Sequence, residues 1–301
     1  MPSAPTDPLA DATIAPLLHG LVDDAAVFPP GNAPLDEAVA SHAGHRAAWY
    51  AGCIGPLLVP VTSVAHLVEV LDVRDAAAGP GEVSAPAVLD VVLVARPGAD
   101  PALVTAGLDA LRDEPRVRVV AVELAWEEGW RDLGLDDVRL ALEVPRGSEQ
   151  AAAVADVRAA LTGGRRVVAK FRTGPTPAWP WPDEAELAAF IDHCTRLGVP
   201  FRLTGGLHHA VRGRYEVGGV PEENHGVLNV LVATAASLEG GGPDEVAGLL
   251  AVRDAEAIAD LATAWPDATV ARVRGAFTAY GCCTVTDPVG ELADLALLPR
   301  P

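Results

Sequence analysis

Apolar residues gather into eight short runs, at 22–28, 54–61, 88–95, 117–124, 138–144, 167–171, 200–204 and 227–232. Most are continuous rather than alternating. That is the pattern of parallel strands buried on both faces. Between them lie stretches with apolar residues at helical spacing, at 34–50, 100–111, 148–161 and 182–197. The last opens with Pro182-Asp183-Glu184, a favourable first helical turn. The link between the fourth and fifth runs is shorter and carries a weaker helical pattern.

Eight strand–helix alternations predict an α/β protein of the (β/α)8 TIM barrel type. The whole chain, 1–301, reads as one barrel domain. Residues 1–20 supply an extra N-terminal helix, centred on 8–20. Residues 21–235 supply eight strand–helix units. Residues 236–301 supply a C-terminal helical extension, with helices expected at 243–265 and 268–280. The rival is an open doubly wound sheet. No Gly-x-Gly-x-x-Gly follows the first run, so the dinucleotide-binding version lacks its fingerprint.

Composition narrows the partners. Half the residues are hydrophobic, enough for a large core, and the net charge is −19. Nucleic acid and anionic membrane surfaces call for a basic face, so neither is expected as a partner. Cys53, Cys194, Cys282 and Cys283 show no Cys-x-x-Cys spacing. They read as reduced thiols of a cytoplasmic protein. The N-terminus lacks the basic region and apolar stretch of a secretory signal. No uncharged apolar stretch is long enough to span a bilayer. A homo-oligomer is left open.

The basic residues hold the strongest chemical signal. The chain has one lysine, Lys170, against 21 arginines, and it ends an apolar run. An amine can lose its proton and attack a carbonyl, whereas a guanidinium cannot. Barrels of this kind carry their chemistry at the C-terminal ends of the strands. On that rule Asp24, Glu123, Glu143, Lys170, Arg172, Arg202 and Thr204 converge, with Thr173-Gly174, Gly205-Gly206, His208-His209, His225 and Asn229 around them. Arg172 follows Lys170 by two residues and shares its strand face, where a second cation would lower the lysine pKa. The alternative is that Glu123 and Glu143 clamp both cations as structural ion pairs. Gly205-Gly206 would admit a ligand close to the backbone. Trp179-Pro180-Trp181-Pro182 is a rigid apolar loop beside the mouth. Cys282 and Cys283 read as packing residues.

The segment Lys170-Phe-Arg-Thr-Gly, followed by a helix and Phe201-Arg-Leu-Thr-Gly-Gly-Leu, resembles the class I Schiff-base aldolase barrels, deoxyribose-phosphate aldolase among them. The resemblance covers about residues 165–210. It implies that Lys170 forms the imine, with Thr173-Gly174 as its following turn. Arg202 stands where that family carries a second lysine, and Glu123 takes the place of its strand-four carboxylate. The phosphate-binding turn of the family is missing from the eighth run.

The leading expectation is a lyase of aldolase type in small-molecule metabolism, acting on a small anionic carbonyl compound through a lysine Schiff base. Lys170 is the nucleophile, and Arg172 and Arg202 hold the anionic group. Glu123, Glu143, His208 or His209 serves as acid and base. Asp24, Thr173, Gly174, Thr204, Gly205, Gly206, His225 and Asn229 line the substrate site. This chemistry needs no cofactor. One alternative is a metal-dependent lyase, isomerase or hydrolase with a divalent metal on His208, His209 and His225. Another is a barrel that binds a metabolite without catalysis.

Overall fold

A computed structural model describes residues 16–77, 88–217 and 220–300. Seven of the eight predicted runs become strands: β1 (Val22–Asp24), β2 (Ile54–Pro60), β3 (Leu89–Val94), β4 (Val117–Ala125), β5 (Leu140–Glu143), β6 (Val167–Arg172) and β7 (Phe201–Thr204). Helices α1 (Leu35–Ala47), α2 (Val64–Ala77), α3 (Pro101–Leu111), α4 (Gln150–Thr162) and α5 (Glu184–Leu197) alternate with them. Asp183 caps α5 by accepting the Glu186 N–H, while the Glu186 carboxylate accepts the Asp183 N–H in return. Such a reciprocal pair fixes where a helix begins.

The eighth run is a helix. Residues 227–232 lie in α6 (Val227–Leu238), which follows a hairpin of β8 (Gly213–Val217) and β9 (Val220–Asn224). Nearly every α6 side chain is buried, because α5, α7 (Pro243–Leu250), α8 (Ala255–Thr263) and α9 (Asp267–Ala276) surround it. A helix hydrophobic on all sides has the same sequence signature as a doubly buried strand. The eighth barrel strand is instead β10 (Phe277–Cys282), inside the segment expected to hold only closing helices. Helix α10 (Thr286–Asp294) follows it. Of the N-terminal helix expected over 8–20, residues 16–20 form turns and the rest lie outside the described residues.

The strands close in the order β1-β10-β7-β6-β5-β4-β3-β2, every neighbouring pair parallel. The (β/α)8 barrel is therefore complete. Its last unit is enlarged, since the hairpin and four helices separate β7 from β10. The β4–β5 link holds only a short 3-10 turn, Trp130–Leu133. A groove of about 470 Å³ lies at this gap in the helical ring, among Leu108, Leu111, Val117 and Val138. It sits at the N-terminal ends of the strands, away from the barrel mouth.

Two apolar clusters divide the interior. The larger lies between strands and helices. It includes a ladder of rings, Phe171, Phe190, Phe201, Phe277 and Tyr280, that ties β6, α5, β7 and β10 together. The smaller comprises Ala25, Leu58, Val92, Val94 and Ala121, inside the barrel itself. The β4–β7 side of the barrel interior carries charged side chains among small and apolar ones such as Ala141, Val168 and Ala279. Among the described residues no helix is long and apolar enough to cross a membrane.

Candidate active site

Side chains alternate across a strand, so alternate residues of β4, β5, β6 and β7 point into the barrel. Lys170 sits between Glu143 of β5 and Arg202 of β7 in the strand register. Its Nζ donates to Glu123 Oε2 at 2.7 Å and lies 2.9 Å from Glu143 Oε2. Arg172 Nε donates to Glu143 Oε1 at 2.9 Å. Arg202 lies 3.0 Å from Glu123 Oε1 and donates to Asp23 Oδ2 at 2.6 Å. The result is a chain of alternating sign: Arg172, Glu143, Lys170, Glu123, Arg202, Asp23. Three cations face three anions.

Exposure along this chain is graded. The Lys170 side chain is 4% exposed and Glu123 1%, whereas Arg172 is 32% exposed. Arg172 ends β6 at the mouth. Exposure therefore falls from Arg172 through Glu143 to the amine.

Charge sets the protonation states. Burial alone would depress the Lys170 ammonium, but Glu123 and Glu143 outweigh it and hold the pKa above the ordinary lysine value. The expectation that neighbouring cations would lower it is corrected: the carboxylates stand between Lys170 and both arginines. Burial would raise Glu123, yet Arg202 and Lys170 hold it low. Burial opposes Lys170 and Arg172 at Glu143 too, and the cations win, leaving its pKa at about 2. Asp23 is the exception. Burial lifts it to about 6 against the pull of Arg202.

Asp23 is the residue that sequence reasoning missed in favour of Asp24. The two are adjacent, so only one can face inward. Asp24 faces α1, where its Oδ2 lies 3.1 Å from His42 Nδ1, and its Oδ1 accepts the Ala26 N–H. Asp23 turns inward over Gly55, where a Cβ would fall 1.9 Å from Asp23 Oδ1. The apolar Val22 before it packs in the outer cluster, and that was the phase signal.

The remaining expected residues separate. Thr204 lies inward at the mouth, with its Oγ1 close to Gly281. Thr173 is fully buried, and its hydroxyl donates to the Thr204 and Gly205 carbonyls. The Gly174 and Gly205-Gly206 backbones pack on one another, and the Trp181 ring covers Gly206. These close approaches are between parts of the chain itself rather than toward a ligand. Arg146 holds the tryptophan loop: it donates to the Pro180 carbonyl, pairs with Glu186 and lies over the Trp179 ring.

The histidines do not converge. His208 Nδ1 lies 3.5 Å from Cys283 Sγ. His209 Nδ1 lies 2.7 Å from Glu291 Oε1, with its ring against Tyr215. His225 Nε2 donates to the Pro182 carbonyl. Asn229 belongs to α6, accepting from the Arg212 N–H and donating to the Leu249 and Val252 carbonyls. Among the described residues no three His, Cys, Asp or Glu side chains are arranged to hold a metal ion. The histidine trio expected around a divalent metal is thus dispersed into three separate settings.

The arrangement offers a buried ammonium group, two carboxylates in contact with it, and a partly exposed guanidinium at the end of β6. Comparison of the chain with known protein families, curated proteins and solved structures found no match.

Proposed function

We propose that this chain is a lyase of aldolase type that forms a Schiff base between Lys170 and a small anionic carbonyl compound. The observation that carries this reading is the position of the Lys170 Nζ, inside the barrel below its C-terminal mouth, 2.7 Å from Glu123 and 2.9 Å from Glu143. The resting group is an ammonium ion, so it must first lose a proton. A substrate anion that engages Arg172 draws that guanidinium from Glu143. Glu143 or Glu123 then takes the Lys170 proton, and the neutral amine attacks the carbonyl carbon. Loss of water gives an iminium ion, into which the electron pair of a breaking C–C bond can flow. Arg202 keeps Glu123 ionised until that transfer. Such chemistry fits a cytoplasmic enzyme of small-molecule metabolism.

The test is reduction by borohydride with a panel of small aldehydes and 2-oxo acids. Lys170 is the chain's only lysine. A stable adduct on the peptide containing Lys170 supports the reading. Adducts on the N-terminal amine alone, or none across the panel, overturn it.

A second reading is favoured by the burial and raised pKa of Lys170. The charged chain then acts as a neutral plug, and the barrel binds a metabolite at Arg172 without covalent chemistry. Binding of carboxylates without reductive trapping would support this version.

A further inference from the structure

The rim of the barrel between β7 and β1 holds a second group of reactive side chains. Cys283 directly follows β10 at the C-terminal end of the barrel. His208 lies in the loop after β7. Its Nδ1 is 3.5 Å from Cys283 Sγ and 3.9 Å from Cys282 Sγ. Cys283 is only partly buried, unlike Cys53, Cys194 and Cys282. None of these groups takes part in the Lys170 chain.

Two features set Cys283 apart from a packing thiol. The first is a base in reach. Burial and the neighbouring His209 lower the His208 pKa, so its ring rests neutral beside the thiol. Asp287, in the first turn of α10, favours the imidazolium once that proton arrives. The second is a set of donors around the sulfur. The Gly31 N–H, the Thr284 side chain and the Cys283 N–H all favour its anion, although burial and the Asp287 carboxylate oppose it and hold the thiol protonated at rest. Gly31 is needed for that approach, since a Cβ there would lie 3.0 Å from the Cys283 Cβ and 2.7 Å from the Ala26 carbonyl oxygen. What points to a nucleophile is the geometry: a partly exposed thiol with an imidazole nitrogen 3.5 Å away, the pairing by which a base takes the proton as the sulfur attacks.

We propose that Cys283 and His208 form a covalent addition site for soft carbon electrophiles, of the α,β-unsaturated carbonyl class. As Cys283 Sγ attacks the β-carbon, its proton passes to His208 Nδ1 and an S–C bond forms. The C=C electron pair moves onto the α-carbon and carbonyl oxygen. The imidazolium proton then reaches the α-carbon. Nothing leaves, and no oxidant or reductant is required. The proposal stands independently of any imine at Lys170.

The test uses the full chain at neutral pH with N-ethylmaleimide, and peptide mass spectrometry to locate adducts over time. Cys283 is expected to react first, while the three buried cysteines stay unmodified in the folded protein. His208→Asn should slow Cys283 by about a hundredfold, the lower end of what a positioned base supplies. Circular dichroism establishes that this variant is folded. A measurement that needs no variant compares Cys283 in the native chain with Cys283 in the urea-unfolded chain. The native thiol should react faster despite its partial burial. An unmodified Cys283, an equal rate in His208→Asn, or a native rate at or below the unfolded one would each overturn the proposal.

Discussion

The two halves of the barrel interior solve the same packing problem in opposite ways. On one side Ala25, Leu58, Val92, Val94 and Ala121 fill the space with apolar atoms. On the other, Asp23, Glu123, Glu143, Lys170 and Arg202 fill it with charge and Arg172 closes the mouth. The apolar half needs only shape. The charged half removes ions from water at a cost of several kcal/mol each, which mutual attraction at best returns. Well-packed apolar residues in place of buried ion pairs often leave stability unchanged or raise it. The fold alone therefore does not call for the charged half, and its placement at the C-terminal ends of the strands agrees with the use proposed for it.

The largest expected effect comes from breaking the chain in its middle. Lys170→Met leaves Glu123 and Glu143 facing each other without the shared cation. We expect a loss of about 3–5 kcal/mol in urea unfolding at neutral pH, as for other buried pairs that lose one partner. Reductive trapping should vanish as well. A loss under about 1 kcal/mol would mean that the carboxylates reach solvent after all, and the contrast between the halves would fail. Leu58→Ala is the matching cut on the apolar side. It should cost about 2–5 kcal/mol through the cavity it opens. Trapping by the folded variant should be unchanged; loss of the adduct would show that the two halves act as a single site.

Legibility in the sequence follows the same division. Seven strands were readable because burial on both faces yields continuous apolar runs. The eighth was not: β10 turns the small Ala279 and Gly281 inward, and its larger Phe277, Tyr280 and Cys282 outward. With so little apolar mass on its inner face, it does not look like a strand. Residues 227–232 borrowed the strand signature because α6 is enclosed by helices. Lys170, Arg202, Glu123 and Glu143 stood out as charges within apolar runs, and Arg172 as the residue just past one. Asp23 and Asp24 form a pair whose inward member depends on strand phase. The loop histidines had no periodicity to place them, and 75 residues separate His208 from Cys283.

Asp23 sharpens the comparison through pH. Its carboxyl rises from 3.8 to about 6 on burial. The fold thus favours its protonated form. The associated stabilisation is fully present below about pH 4 and lost as pH rises through 6. Two units correspond to about 3 kcal/mol. Glu143 runs the other way: held near 2, it stabilises above its ordinary value of 4.5 and loses that contribution as pH falls toward 2. Urea unfolding of the wild type and Asp23→Asn across pH 4 to 7 isolates the Asp23 contribution. The wild type should lose stability relative to the variant by up to about 3 kcal/mol over that window. A constant difference would mean that Arg202 keeps Asp23 ionised throughout.

The smallest effect on stability belongs at the entrance. Arg172 is partly solvated and its pair with Glu143 lies at the rim, so Arg172→Gln should cost under about 1 kcal/mol. If Arg172 holds the substrate anion, the loss appears elsewhere. A hydrogen bond to a charged group is worth about 1.5–3 kcal/mol, or about 10- to 100-fold in the carbonyl concentration giving half-maximal trapping. The adduct should still form on Lys170 once that concentration is supplied. A stable variant with weakened trapping places recognition at the rim and covalent chemistry below it. A strongly destabilised variant with unchanged half-maximal trapping would instead make Arg172 a brace for Glu143, and the substrate anion would need another cation.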